Sequence, residues 1–266
     1  MQRVDQYELL EPLGKGASAS IWEARSKNGS IVAVKLLHEE ADLDDDERRR
    51  LEREARALNG ITHPSVVRVL DFGVSEGTPY LVMERLRGMS LRTCLEGGVS
   101  VEEGLALARQ LVAGLAAVHE AGVVHRDVKP ANVFVTSRGV KLLDFGLAKF
   151  FDASRWGEHS ILTGRGTQLG TPAYMPPELC FGEEADAASD VYSAGIVLFE
   201  CVEGRLPFVG ESRQHWVRMH ATAEIPPVTK CPAIDAVLKL ALAKRRGDRF
   251  RNAMALDSAL QTVDFP

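Results

Sequence analysis

His125-Arg126-Asp127-Val128-Lys129-Pro130-Ala131-Asn132, followed further along by Asp144-Phe145-Gly146, is the stretch that decides how this chain reads. Asp127 can accept a proton from a hydroxyl, Lys129 can steady a transferring phosphate, and Asn132 and Asp144 offer hard oxygens to magnesium. Phosphoryl transfer needs such a set, because its catalysis is mostly positioning and charge neutralisation. An isolated Asp-Phe-Gly carries little weight. Asp71-Phe72-Gly73 repeats the triplet on a stretch that reads as strand and turn, with no such loop before it, so Asp71 is expected to be structural.

Working outward, Val133-Phe134-Val135 and Val140-Lys141-Leu142-Leu143 are short apolar runs joined by a turn at Ser137-Arg138-Gly139. Residues 101–121, 189–203 and 233–244 alternate apolar and polar at helical period. The first third reads instead as strands: Tyr7-Glu8-Leu9-Leu10, Ser20-Ile21-Trp22-Glu23-Ala24, Ile31-Val32-Ala33-Val34, Val66 to Leu70, and Pro79 to Met83. Asn28-Gly29 is a two-residue hairpin signal between two of them. One helix interrupts the strands. Asp42 to Glu47 put negative charge at its start, Leu51, Ala55 and Leu58 form an apolar stripe, and Asn59-Gly60 ends it. The expected fold class is α+β, with a small β-rich lobe carrying one key helix over residues 1–86 and a larger helical lobe over 87–266. The hinge falls near 84–88, and a ligand is expected in the cleft between lobes.

The first lobe adds further chemistry. Gly14-Lys15-Gly16-Ala17-Ser18-Ala19-Ser20-Ile21 lies between two strands, and its glycines would let backbone N–H groups approach a phosphate. Alone it also reads as a plain hairpin turn. Lys35 ends the strand Val32-Ala33-Val34 and alone reads as a solvated surface residue. Glu54 alters that reading: three residues after Leu51 and four before Leu58, it falls on the inward stripe of its helix. A carboxylate there needs a partner, and Lys35 is the best one in this lobe.

The 266 residues, 45% hydrophobic and 26% charged, have the composition of a globular protein. A net charge of −5 gives no electrostatic reason to expect nucleic acid or an anionic membrane surface. The four cysteines, Cys94, Cys180, Cys201 and Cys231, are scattered without metal-ligand spacing, which fits a reducing compartment. With no apolar run long enough for a membrane helix, the chain as given is expected to be cytoplasmic and to make no membrane contact.

The ordered set of motifs resembles the eukaryotic-type protein serine/threonine kinase family over residues 7–262, most closely its bacterial members. The resemblance implies ATP and Mg2+, with Mn2+ as a substitute, and protein substrates. Lys35 then holds the α- and β-phosphates with Glu54 as its helix partner, Asp127 is the base, and Asn132 and Asp144 are the metal ligands. It implies an adenine site in which Leu13, Ile21, Ala33 and Phe134 sandwich the ring, Met83 closes the back, and the Glu84 carbonyl and Leu86 N–H bond the edge. The same apolar residues also read as ordinary core. Leu58, Val69, His125 and Phe145 match an apolar spine. Gly170-Thr171-Pro172-Ala173-Tyr174-Met175-Pro176-Pro177-Glu178 matches the end of the activation segment, departing at Pro176, where alanine is usual. Ala19 likewise stands where a third glycine is usual. Asp190 resembles the aspartate that anchors the catalytic loop, and Arg249 the ion-pair partner of Glu178.

Lys129 and Thr171 resemble the serine/threonine branch of the family. Arg126, Lys149 and Arg50 match basic positions that meet a phosphate on the activation segment, with Thr167 and then Thr163 as the candidate acceptors. Autophosphorylation would imply a transient homodimer. Two other functions compete. A pseudokinase-like regulatory module is disfavoured because Lys35, Asp127, Asn132 and Asp144 are all present. A small-molecule phosphotransferase of similar core is disfavoured by the Gly-Thr-x-x-Tyr-x-x-Pro-Glu segment.

Overall fold

The computed structural model describes residues 2–16, 19–37, 56–144 and 172–263. The described residues fall into two units. Residues up to 63, together with 67–87, form the first; residues 64–66, 88–144 and 172–263 belong to the second.

The first unit is built on a six-stranded sheet of order β1-β2-β3-β4-β6-β5. Its strands are β1 (Arg3–Val4), β2 (Tyr7–Lys15), β3 (Ala19–Arg25), β4 (Ile31–Leu37), β5 (Val69–Ser75) and β6 (Thr78–Glu84), all paired antiparallel. The β-branched run Ile31-Val32-Ala33-Val34 makes β4 a natural interior strand. Val32, Val34, Ala24, Tyr80 and Val82 are buried together with Val4, Tyr7 and Leu9, a core that fixes register because a one-residue slip would turn it to water. The β3–β4 connection differs from a two-residue hairpin. It runs over residues 26–30, closed by Ser26 N–H donating to Ser30 O at 3.0 Å. Of its two central residues only Gly29 has positive φ, at 84°, whereas a type I′ turn requires positive φ at both. Asn28 Oδ1 instead accepts from Ser30 N–H at 3.0 Å and from Ser26 Oγ at 2.5 Å. The expected helix of this lobe, with Leu51, Glu54 and Ala55, lies outside the described residues except for a turn at 56–59, where Leu58 is buried. Gly60 N–H closes that turn on Ala57 O at 3.1 Å.

The second unit is mainly helical. Its elements are β7 (Met89–Ser90), α1 (Leu91–Gly97), α2 (Val101–Glu120), β8 (Val133–Thr136), β9 (Gly139–Leu142), α3 (Pro177–Cys180), α4 (Ala187–Glu203), α5 (Arg213–Thr222), α6 (Asp235–Ala241) and α7 (Ala253–Gln261). Ser100 caps α2 by accepting from Glu103 N–H, and Leu105, Ala108, Leu111, Val112, Leu115 and Val118 form its buried stripe. Helix α4 is buried from Ala188 to Glu203, so it is the central helix of this unit rather than an amphipathic surface one. Asp186 and Ser189 form a capping box at its start, and Gly204 ends it with φ at 69°. Helices α2 and α4 approach closely at Gly104, where a Cβ would stand 2.1 Å from Cys201 O; any larger residue would separate them.

Candidate active site

The expected site residues divide between the two units. In the first, Ala33 and Lys35 lie two apart on β4 and share one face of the sheet. Ile21 and Leu81 flank Lys35 in register, Glu23 and Met83 flank Ala33, and Gly14 pairs with Ile21. One face therefore collects Gly14, Ile21, Ala33, Lys35 and Met83, opposite the face carrying Val34 and Val82. Ala33 and Met83 are buried, while Ile21 and Lys35 are half-buried. Leu13 lies in the register shift between Pro12 and Gly14 and is 36% exposed. Gly16 N–H donates to Ala19 O at 2.8 Å, so this amide closes the turn instead of being turned toward a ligand. At the end of β6, the Glu84 side chain accepts from Arg68 N–H at 2.9 Å. Arg85 pairs with Glu23 at 2.8 Å and donates to Leu86 O. Glu54 lies outside the described residues.

In the second unit the loop from His125 to Asn132 folds back on Asp127. Lys129 Nζ and Asn132 Nδ2 both lie 2.8 Å from Asp127 Oδ2, and Asn132 Nδ2 also donates to Asp127 O at 2.8 Å. Two donors on one oxygen orient the carboxylate. With the Asn132 amide hydrogens committed to Asp127, the atom its side chain offers a cation is Oδ1. Leu143 N–H donates to Asn132 O at 2.8 Å, which ties Asn132 to the residue before Asp144. These hard oxygens on adjoining backbone fit a divalent ion that takes its remaining ligands from phosphates and water. Among the described residues no group of three His, Cys, Asp or Glu side chains could hold a metal by itself. Phe134, on β8 of this unit, is half-buried and pairs with Ser90 and Lys141.

Arg126 and Asp144 have φ of 67° and 55°, in the left-handed region that non-glycine residues seldom occupy. Such geometry persists where surroundings impose it, and at Arg126 the holding group is Asp190. One oxygen of Asp190 accepts from Arg126 N–H at 2.8 Å, and the other from His125 N–H at 2.7 Å. His125 is fully buried. Its Nε2 lies 2.7 Å from Leu143 O, and its Nδ1 accepts from Asp127 N–H at 3.3 Å, so Nε2 carries the proton. This geometry suits a packed, neutral histidine.

Burial pushes the His125 imidazole below its ordinary 6.5, against the pull of Asp190 and the Leu143 carbonyl. His220, stacked on Trp216 and bonded to Tyr192 at 2.9 Å, is pushed down to about 4 by burial and by Lys244. The unfolded chain therefore binds protons on these histidines before the folded one does. Their contribution to stability is complete above about pH 6.5 and declines as the pH falls below it, for His220 down to about pH 4. The urea midpoint should drop between about pH 7.5 and about pH 5, and His220→Phe should flatten that drop. Equal slopes for variant and parent would contradict this assignment.

Residues 7–250 match the family model described as protein kinase domain. The chain belongs to the protein kinase family. A probable serine/threonine-protein kinase of Corynebacterium efficiens is 37% identical over 97% of this kinase domain, which covers 41% of that relative. The serine/threonine-protein kinase PknA of Mycobacterium tuberculosis is 35% identical over 97% of it, covering 61% of that protein. The chain thus spans about half the length of the curated relatives it matches. Among solved structures, the Mycobacterium tuberculosis PknI kinase domain superposes with a TM-score of 0.73 at 25% identity, covering 98% of this chain and 96% of that one. The family uses ATP and a divalent metal ion and acts on proteins. Among the described residues no helix is long and apolar enough to cross a membrane.

Several features of this kinase domain escaped the sequence reading. Glu200 on α4 accepts from Tyr174 Oη at 2.5 Å and from Arg92 at 2.9 Å, while Arg92 also donates to Tyr174, a network that anchors the end of the activation segment. Asp190 has a third partner, His119, at 2.9 Å. Asp71, the aspartate of the second Asp-Phe-Gly, accepts from Tyr7 Oη at 2.7 Å and from Phe72 N–H at 2.9 Å, a structural assignment. Burial, with Asp71 adding to it, pushes the Tyr7 hydroxyl up to about 12.

Proposed function

We propose that the chain transfers the γ-phosphoryl group of ATP to serine and threonine hydroxyls of proteins, with Asp127 as the base. The observation that carries this reading is the convergence of Lys129 and Asn132 on Asp127 Oδ2, both at 2.8 Å. A carboxylate so oriented can take the hydroxyl proton, while Lys129 can move from it to the transferring phosphate as charge builds there. Asn132 and Asp144 would hold Mg2+, or Mn2+ in its place, and the ion would supply neutralisation of the phosphate charge. Lys35 would hold the α- and β-phosphates, paired with Glu54. Leu13, Gly14, Gly16, Ile21, Ala33, Met83, Glu84, Leu86 and Phe134 would hold the rest of the nucleotide, with adenine on the Glu84 carbonyl and Leu86 N–H.

The same reading covers regulation. Arg126 stands beside the base in a constrained conformation, and its cationic side chain would meet a phosphate on Thr167 or Thr163, with Lys149 and Arg50 as further cations. All but Arg126 lie outside the described residues. Autophosphorylation between two copies would place that phosphate. Intact mass measurement and site mapping after incubation with Mg·ATP should find one or both threonines modified. The variant T163A/T167A should lose most activity toward added protein. A double variant as fast as the parent would remove loop phosphorylation from the account and leave the transfer reaction standing.

A further inference from the structure

We propose that Lys244 is a nucleophilic lysine whose amine is a site of N-acylation by small activated acyl donors, acyl phosphates or acyl thioesters. This site is independent of the transfer reaction. Lys244 follows α6 and is half-buried. Its Nζ lies 4.2 Å from the centre of the Phe208 ring and 5.9 Å from that of Tyr192 on α4. Met219 O, on α5, is 3.5 Å away. Both rings belong to the core. A second cation stands at the same place: Arg249 Cζ lies 4.8 Å from the centre of the Tyr192 ring, and Arg249 donates to Lys244 O at 3.1 Å.

An ammonium is poorly served there. A ring face attracts a cation but accepts no ordinary hydrogen bond, and one carbonyl at 3.5 Å is at the limit of reach for three donors. Among the described residues no carboxylate pairs with Lys244, and both oxygens of Glu178 are taken by Arg249 at 2.8 Å. Tyr192 and His220 bond each other at 2.9 Å, and burial keeps both uncharged, raising the Tyr192 hydroxyl and lowering His220 to about 4. Burial, and then Arg249, push the Lys244 amine down to about 8. A desolvated amine beside another cation is a nucleophile near neutral pH. Its ammonium proton passes to water, and the freed lone pair attacks the acyl carbon. A C–N bond forms and the C–O bond of the acyl phosphate, or the C–S bond of the thioester, breaks. Phosphate or thiol leaves with that electron pair and one N–H proton. The product is a neutral amide, which keeps one N–H for Met219 O and takes one cation from the Tyr192 ring. The competing view is that Lys244 only packs its stem over Phe208.

The two views differ in a rate. The unaltered chain is treated separately with acetyl phosphate and with acetyl-CoA, and acetyl at Lys244 is followed by peptide mass mapping. Nα-acetyl-lysine amide in the same tube serves as an ordinary lysine amine. At about pH 7.5 the uncharged fraction of Lys244 exceeds that of the reference by about a hundredfold, but a less basic nitrogen attacks more slowly. Lys244 should therefore gain acetyl about tenfold faster than the reference with at least one donor. Its rate should level off above about pH 8, while that of the reference keeps climbing. In guanidinium chloride the two rates should converge, because the advantage belongs to the fold. Fast labelling by one donor alone supports the site and assigns it to that donor class. Equal rates in the folded protein, a Lys244 rate still climbing at about pH 9.5, or an advantage that survives unfolding would overturn the proposal.

Discussion

Asp127→Asn is expected to lower phosphoryl transfer by about a hundredfold or more while leaving the protein folded and able to bind nucleotide. The substitution keeps shape and an oxygen that Lys129 and Asn132 can still reach, so the contacts at 2.8 Å on Oδ2 have a replacement. What disappears is the negative charge and the ability to take a proton. Asp144→Asn should produce a comparable loss through the metal ion, and asparagine tolerates the φ of 55° better than alanine would. The check is initial rate against ATP concentration, with thermal midpoints alongside. Full transfer by a folded Asp127→Asn protein would remove Asp127 from the reaction.

The second large effect concerns stability. Arg249 and Glu178 form a bidentate pair, Nη1 to Oε1 and Nη2 to Oε2, both at 2.8 Å, with side chains 0% and 4% exposed. Arg249 further donates to the carbonyls of Ala243 at 2.7 Å, Ala188 at 3.2 Å and Lys244 at 3.1 Å, and Ser189 Oγ donates to Glu178 at 2.6 Å. Burial acts to raise the Glu178 carboxyl, but Arg249 and Ser189 outweigh it and hold the group below the ordinary carboxylate range. Arg249→Met would leave that buried carboxylate with only the more distant Arg246, its Nε 3.9 Å from Oε1, and should cost about 3–5 kcal/mol in urea unfolding. The double variant Arg249→Met/Glu178→Leu should be less destabilised than the single, because no charge is stranded. A single-variant loss below about 1 kcal/mol would contradict the pair's role.

How far the sequence could be read depended on how local the signal was. The helix expected at 101–121 is Val101–Glu120, and that at 189–203 is Ala187–Glu203, because long apolar periodicity and polar caps are properties of the segment itself. The strands around Lys35 follow from their β-branched content in the same way. The hairpin at Asn28 came out longer than its dipeptide signal, since Ser26 and Asn28 side chains supply bonds that a turn rule does not count. The loop at 125–132 could be recognised because its chemistry is packed into consecutive residues. Arg92, Tyr174 and Glu200 could not, since they meet across separations of 26 to 108 residues and only packing around α4 brings them together. His119 was missed for the same reason: nothing near it in the chain marks a buried histidine as the neighbour of an aspartate 71 residues away. Glu178 and Arg249 were paired through family resemblance, not through spacing.

The most direct test of the central claim is phosphoamino-acid analysis of dephosphorylated casein after incubation with γ-labelled ATP and Mg2+, with Asp127→Asn run in parallel. The expected result is label on phosphoserine and phosphothreonine with the parent protein and a loss of about a hundredfold or more with the variant. Nucleotide binding without labelled protein, or labelling that Asp127→Asn leaves intact, would contradict it.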